Sequence, residues 1–189
     1  MTRASFSIST IGRSSRAKRD PVRLPADATL IVLGAPERQA AEDPPEQNIA
    51  ALVAAWRSEA LPIVYVRPAP DGPRRPFGAG AAPLAAETIV ERRVGAPFAG
   101  SALGDTLDAF GATTLVFCGD AAAMPDAARA AGVFGCHAFV VADACWSGDL
   151  AEFAALLAGE DAKIVDCASV LRAASVAKAR QRRQAMRRG

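Results

Sequence analysis

Residues 113–146 read TTLVFCGDAAAMPDAARAAGVFGCHAFVVADACW, and this stretch decides the fold. Thr114 to Phe117 form a continuous apolar run, the pattern of a strand buried on both faces. Gly119 bears a turn, and the Ala-rich segment from Pro125 to Phe134 reads as a helix. Pro is tolerated in a first helical turn and Asp126 complements the dipole there. Phe139 to Val141 is a second buried strand. Strand, turn, helix and strand make one βαβ unit, and open α/β folds place chemistry where strands end and helices begin. A nucleophile or an oxyanion-binding backbone is therefore expected just after Cys118-Gly119. The residues standing there, Asp120-Ala-Ala-Ala-Met-Pro125, are nearly devoid of reactive side chains.

Working outward, Thr29 to Leu33 is another continuous apolar run and reads as the first strand, ended by Gly34-Ala-Pro36. A polar loop is expected through Pro44-Pro45. Ile49, Leu52, Val53 and Trp56 then recur at i, i+3, i+4 and i+7, one apolar helical face. Pro62 breaks that helix, and Ile63 to Val66 is the second strand. Residues 68–83, PAPDGPRRPFGAGAAP, read as a long unpacked loop able to cover a site. Thr88 to Val90 is a short third strand and Ala102 to Phe110 a short helix. Glu152 to Leu157 is expected to be helical, Lys163 to Asp166 to be the sixth strand, and a last helix to run from about Ser169 into the C-terminal tail.

Strands alternating with helices predict an α/β three-layer sandwich, a six-stranded parallel sheet with helices on both faces. The domain spans residues 26–177, between a basic tail at 1–25, expected to be disordered, and a second basic tail at 178–189. At 189 residues the chain is long enough for one domain with a sizeable core.

With 51% apolar and 22% charged residues the composition is that of a globular protein. No apolar run approaches the roughly 18 to 20 residues that span a bilayer, so no transmembrane segment is expected. The net charge of +2 hides a segregation. Residues 1–23 carry six basic residues (Arg3, Arg13, Arg16, Lys18, Arg19, Arg23) against Asp20, and residues 178–189 carry six (Lys178, Arg180, Arg182, Arg183, Arg187, Arg188) and no acid. Residues 24–177 hold 10 basic and 19 acidic residues, a net of −9. The tails suit nucleic acid, an anionic membrane surface or an acidic partner. Neither interleaves aromatics with its charges, which favours plain solvated ends. The N-terminus is Arg- and Ser-rich like a transit peptide, but a GC-rich bacterial gene gives the same composition, and a cytoplasmic location is expected. Cys118, Cys136, Cys145 and Cys167 have no C-x-x-C spacing, and His137 is the lone histidine, so neither a metal nor a cofactor is expected.

The order of segments resembles the isochorismatase-like, or cysteine hydrolase, superfamily over residues 28–172. The matching pieces are TLIVLG, LPIVYVR, IVERRVGAPFAGSAL, LVFCGD and AFVVADAC, with Arg92 six positions before Phe98-Ala99-Gly100. The resemblance implies a homo-oligomer. It also implies a catalytic set of an Asp ending the first strand, a Lys in the middle motif and a Cys opening the helix after the fourth strand. Carried over, those positions hold Gly34, Arg92 and Met124 or Pro125, because the turn and helix are about two residues shorter here. Gly34 has no side chain, Arg92 does not give up its proton, and neither Met nor Pro is a nucleophile.

Cys118 reads either as a relocated nucleophile or as a small filler in a buried strand, the latter being favoured. Asp120 reads as an acid or base, or as a cap. Arg92 could hold a carboxylate or phosphate ligand, with Phe98, Asp120 and Trp146 as further candidate ligand contacts, or pair with Glu87 or Glu91 at the surface. Trp146 is expected to pack under a loop, and His137 to lie at the opposite sheet end from any site. The leading expectation is a non-catalytic ligand-binding or assembly protein with a degenerate site. The alternatives are a divergent hydrolase of a small amide or vinyl ether, and a protein that binds nucleic acid or an acidic partner through its tails.

Overall fold

The computed structural model describes residues 22–25, 28–34, 44–68, 77–92, 101–146, 155, 157 and 162–187. Six strands form one parallel sheet: β1 (Thr29–Leu33), β2 (Ile63–Pro68), β3 (Thr88–Arg92), β4 (Thr114–Asp120), β5 (His137–Trp146) and β6 (Ala162–Val165). The order across the sheet is β3-β2-β1-β4-β5-β6, so the chain works outward from β1 and then returns to its other side at β4. The carboxyl ends of β1 and β4 therefore flank the topological switch point, where such sheets open a crevice.

Helices α1 (Pro44–Ser58) and α4 (Cys167–Met186) cover one face, and α2 (Leu103–Phe110) and α3 (Met124–Val133) the other. β1 is buried along its whole length, with Leu30 and Val32 facing α1 while Ile31 and Leu33 face the α3 side. Each such side chain contributes roughly 1.5–3 kcal/mol of hydrophobic burial. The predicted face of α1 (Ile49, Leu52, Val53, Trp56) is buried, and the Trp56 indole donates to the Ala28 carbonyl at 2.8 Å.

Several elements are longer than their sequence patterns indicate. Pro44 and Pro45 open α1 and do not belong to the preceding loop, because a first turn does not need their missing N–H groups. β3 extends to Arg92, β4 to Asp120 and β5 from His137 to Trp146; β6 begins one residue earlier than expected. A 3-10 turn, Ala121–Ala123, joins β4 to α3, and α4 starts at Cys167. Asp143 accepts the Cys167 N–H at 2.8 Å, and Asp166 accepts the Ser169 N–H at 2.7 Å, so two carboxylates hold the first turn of α4.

The Pro/Gly-rich stretch is not wholly unpacked. Ala79–Ala81 form a 3-10 turn against α1, Ala81 is buried, and Phe77 meets Tyr65 edge-on at 4.9 Å between centroids. Composition hid this, because a few apolar side chains suffice to seat a Pro/Gly segment. Most of the helix expected at 152–157, and all of the tail expected at 1–25 except Val22–Pro25, lie outside the described residues.

Candidate functional site

β4 reaches the crevice through an irregularity. Phe117 pairs with Val140, but Gly119 pairs with Cys145, so on β5 four residues stand opposite Cys118 alone. Such bulges re-aim a strand end. Gly119 has φ +108°, and a Cβ on it would overlap the Leu33 carbonyl. Only glycine lets β4 pass this close beneath β1.

Gly34 follows β1, and its N–H donates to the Val66 carbonyl at 2.7 Å. A Cβ built there would lie 3.2 Å from Phe77 Cε1 and 3.3 Å from the Val66 carbonyl oxygen. The space beside the end of β1 is thus occupied by an aromatic ring delivered from the Pro/Gly-rich segment.

Arg92, the last residue of β3, lies on the same strand face as buried Val90, toward α2 and α3. β3 and β4 are three strand spacings apart, about 14 Å. Arg92 Nη2 donates to Asp120 Oδ2 at 3.1 Å, bridging much of that gap. Asp120 Oδ1 accepts the Ala122 N–H at 3.1 Å, capping the 3-10 turn. The two side chains are 4% and 13% exposed, so the pair is withdrawn from water, where Coulomb attraction is less screened. Asp120 is therefore a cap and an ion-pair partner together.

The surface pairings considered for Arg92 are not formed. Glu87 is taken by Arg57, which donates to both its carboxylate oxygens at 2.8 Å, to Tyr65 Oη at 3.2 Å and to the Ala82 carbonyl at 2.7 Å. Glu91 accepts from Arg67, its direct cross-strand neighbour, at 2.9 Å. Register decides the second pairing: Glu91 and Arg92 point to opposite faces of the strand.

The two positions implied for the nucleophile also lack reactive groups. Met124 opens α3 and is fully buried among Leu103, Ala127 and Ala128, while Pro125 lies in the first helical turn. Cys118 faces the other side of the sheet, in the core beneath α1 and α4, with Sγ 3.8 Å from the Ile31 carbonyl. Burial pushes its thiol well up, with smaller contributions from Cys145 and Cys167. Burial likewise raises Cys145 and Cys136, and lifts Cys167 to about 11. A thiol in this state supplies almost no thiolate near neutrality.

Of the candidate ligand contacts, the structure brings Arg92 and Asp120 together. Trp146 sits in register with Asp120, yet its ring packs on the opposite face of the sheet, against the α1 and α4 core, which corrects its grouping with Arg92. Phe98 lies outside the described residues. His137 is exposed at the first position of β5, at the amino end of the sheet. Among the described residues, no group of three or more His, Cys, Asp or Glu is placed to hold a metal ion, and no helix is long and apolar enough to cross a membrane. Sequence reasoning missed Phe77; its one signal was a lone aromatic inside a Pro/Gly-rich run.

The family model described as "Isochorismatase domain" matches residues 32–169. An isochorismatase-family protein from Chromobacterium violaceum is 26% identical over 83% of this chain and 98% of its own, with a TM-score of 0.69. An isochorismatase from Pseudomonas putida is 25% identical, covering 80% and 94% of the two chains, with a TM-score of 0.68. An N-carbamoylsarcosine amidase from Thermoplasma acidophilum shares the fold at 21% identity and a TM-score of 0.59, over 75% of this chain and 96% of that one.

Proposed function

The chain belongs to the isochorismatase family, and we propose that within it this protein is a non-catalytic member whose ancestral site serves as a structural strut. The observation that carries this reading is the Arg92–Asp120 pair, 3.1 Å long and withdrawn from solvent, beneath an end of β1 where Phe77 takes the place of a side chain. A hydrolytic site needs a group that attacks or protonates and donors left open for developing negative charge. Here the cation at the site is already matched by a carboxylate, and that carboxylate would repel an oxyanion. Loss of one member of a catalytic unit typically costs on the order of 10⁴-fold, and at this site all three positions implied by the family have changed. Ligand binding or assembly of copies is what the scaffold then offers.

The test is hydrolysis by the purified full chain of small amides and of isochorismate, run beside Asp120→Ala and Cys118→Ser. No turnover above buffer in any of the three proteins is the expected result. Turnover that disappears in either variant overturns the reading and restores a divergent hydrolase. Thiol labelling gives a second readout. Iodoacetamide should react slowly with all four cysteines of the native protein, and selective rapid labelling of Cys118 would contradict the assignment.

A further inference from the structure

The other end of the sheet carries a feature that the hydrolase scaffold does not use. α4 packs through Val170, Ala173 and Ala174, and then runs on to Met186. Beyond Ala177 every described residue (Ala179, Arg183, Met186 and Arg187) is exposed. From Lys178 to Met186 the helix projects about 14 Å at 1.5 Å per residue. That projection carries Lys178, Arg180, Arg182 and Arg183, and Arg187 follows in the next turn, with no acidic residue among them.

The chain also enters the described structure here. Leu24 and Pro25 line the same shallow hollow as Trp56, Ala174 and Ala177, Val22 packs on the adjoining core, and Arg23 is exposed. Both basic segments, six cationic residues each, are thus joined to an acidic domain at one place. Sequence alone leaves them at opposite ends of the chain.

We propose that the projecting part of α4 forms a surface for the phosphate backbone of a nucleic-acid duplex. At 100° per residue the cationic positions of α4 spread over an arc of about 200° around the helix axis. A protein surface engages one stripe of a helix, whereas a groove encloses a helix and presents phosphates on both sides. Five of the six cations at residues 178–189 are Arg, whose planar fork pairs with phosphate through two hydrogen bonds. Lys178 and Arg182, and Arg183 and Arg187, are like charges at i, i+4, which weaken a helix until counter-charge arrives. The segment has no aromatic residue to stack on bases, so charge supplies its affinity.

The test uses the full chain with duplex DNA and duplex RNA of about 20 base pairs, followed by fluorescence anisotropy across a salt series from about 50 mM. The parent should bind with log K falling linearly in log salt. The variant R180Q/R182Q/R183Q/R187Q should lose roughly three to four units of that slope and bind roughly 10⁴-fold more weakly at the lowest salt. Gln keeps helix propensity, so circular dichroism and the melting temperature should not move. Absence of duplex binding by the parent, unchanged affinity in the α4 variant, or tighter binding of polyglutamate than of either duplex would each overturn the proposal. The last outcome would point to an acidic protein. None of these readouts depends on whether the domain hydrolyses anything.

Discussion

The two ends of the sheet treat charge in opposite ways. At the carboxyl end, Arg92 and Asp120 neutralise each other inside the protein, and the space beside Gly34 is filled. At the amino end, Arg23 where the chain enters and Arg183 and Arg187 where it leaves are exposed. Family resemblance directs attention to the first end, where Arg92 is paired and Phe77 lies beside Gly34.

The sharpest way to break the contrast is Gly119→Ala. The substitution meets the Leu33 backbone, which cannot swing aside as a side chain can, at a φ that L-residues avoid. Destabilisation of about 3 kcal/mol or more is expected from denaturant unfolding. An effect under about 1 kcal/mol would mean that β1 and β4 are not locked together at the crevice. Next comes Asp120→Ala, which removes the carboxylate paired with buried Arg92 and the cap of the 3-10 turn. A loss of about 3 kcal/mol is expected, with the double variant R92M/D120A recovering part of it, because an apolar side chain does not need the carboxylate. If the double variant is less stable than D120A, the strut account fails.

The smallest effect belongs to the amino end, where Arg57 holds Glu87 near the start of β3. The hydrogen bond from Arg57 lowers the Glu87 carboxyl below its ordinary value of 4.5, against the upward push of burial. A folded value below the unfolded one means that this stability is fully present above about pH 4.5 and is lost as pH falls through the folded value. Glu87→Gln should therefore cost about 1 kcal/mol at pH 7 and flatten the fall of melting temperature on acidification. Parallel acid limbs in the two proteins would show that the contact adds no pH-linked stability.

The sheet was legible because its signals are local. Continuous apolar runs mark strands buried on both faces, and the i, i+3, i+4, i+7 spacing of Ile49, Leu52, Val53 and Trp56 marks α1 before any packing is known. The three altered family positions were also readable, since resemblance aligns them one by one. The contact between Arg92 and Asp120 was not readable. Arg92 and Asp120 stand 28 residues apart on strands separated by two others, and only the strand order brings them within reach. Strand alternation gives faces but not partners, which is why Glu87 and Glu91 looked like the nearer choices for Arg92. Trp146 seemed to belong beside Asp120, yet the irregular pairing of β5 sends its ring to the other core. The meeting of Leu24 and Pro25 with Ala174 and Ala177 has no local signature at all.

The Phe77 ring over Gly34 also limits where this sequence can go by single substitutions. Gly34→Asp alone meets the ring and the Val66 carbonyl, while Phe77→Ala alone leaves an empty hollow and confers nothing. Each step is unfavourable until the other has been taken, so the order of changes matters as much as their identity. The pair forms an epistatic lock. A carboxylate at the end of β1 requires the ring at position 77 to give way by a few tenths of an ångström.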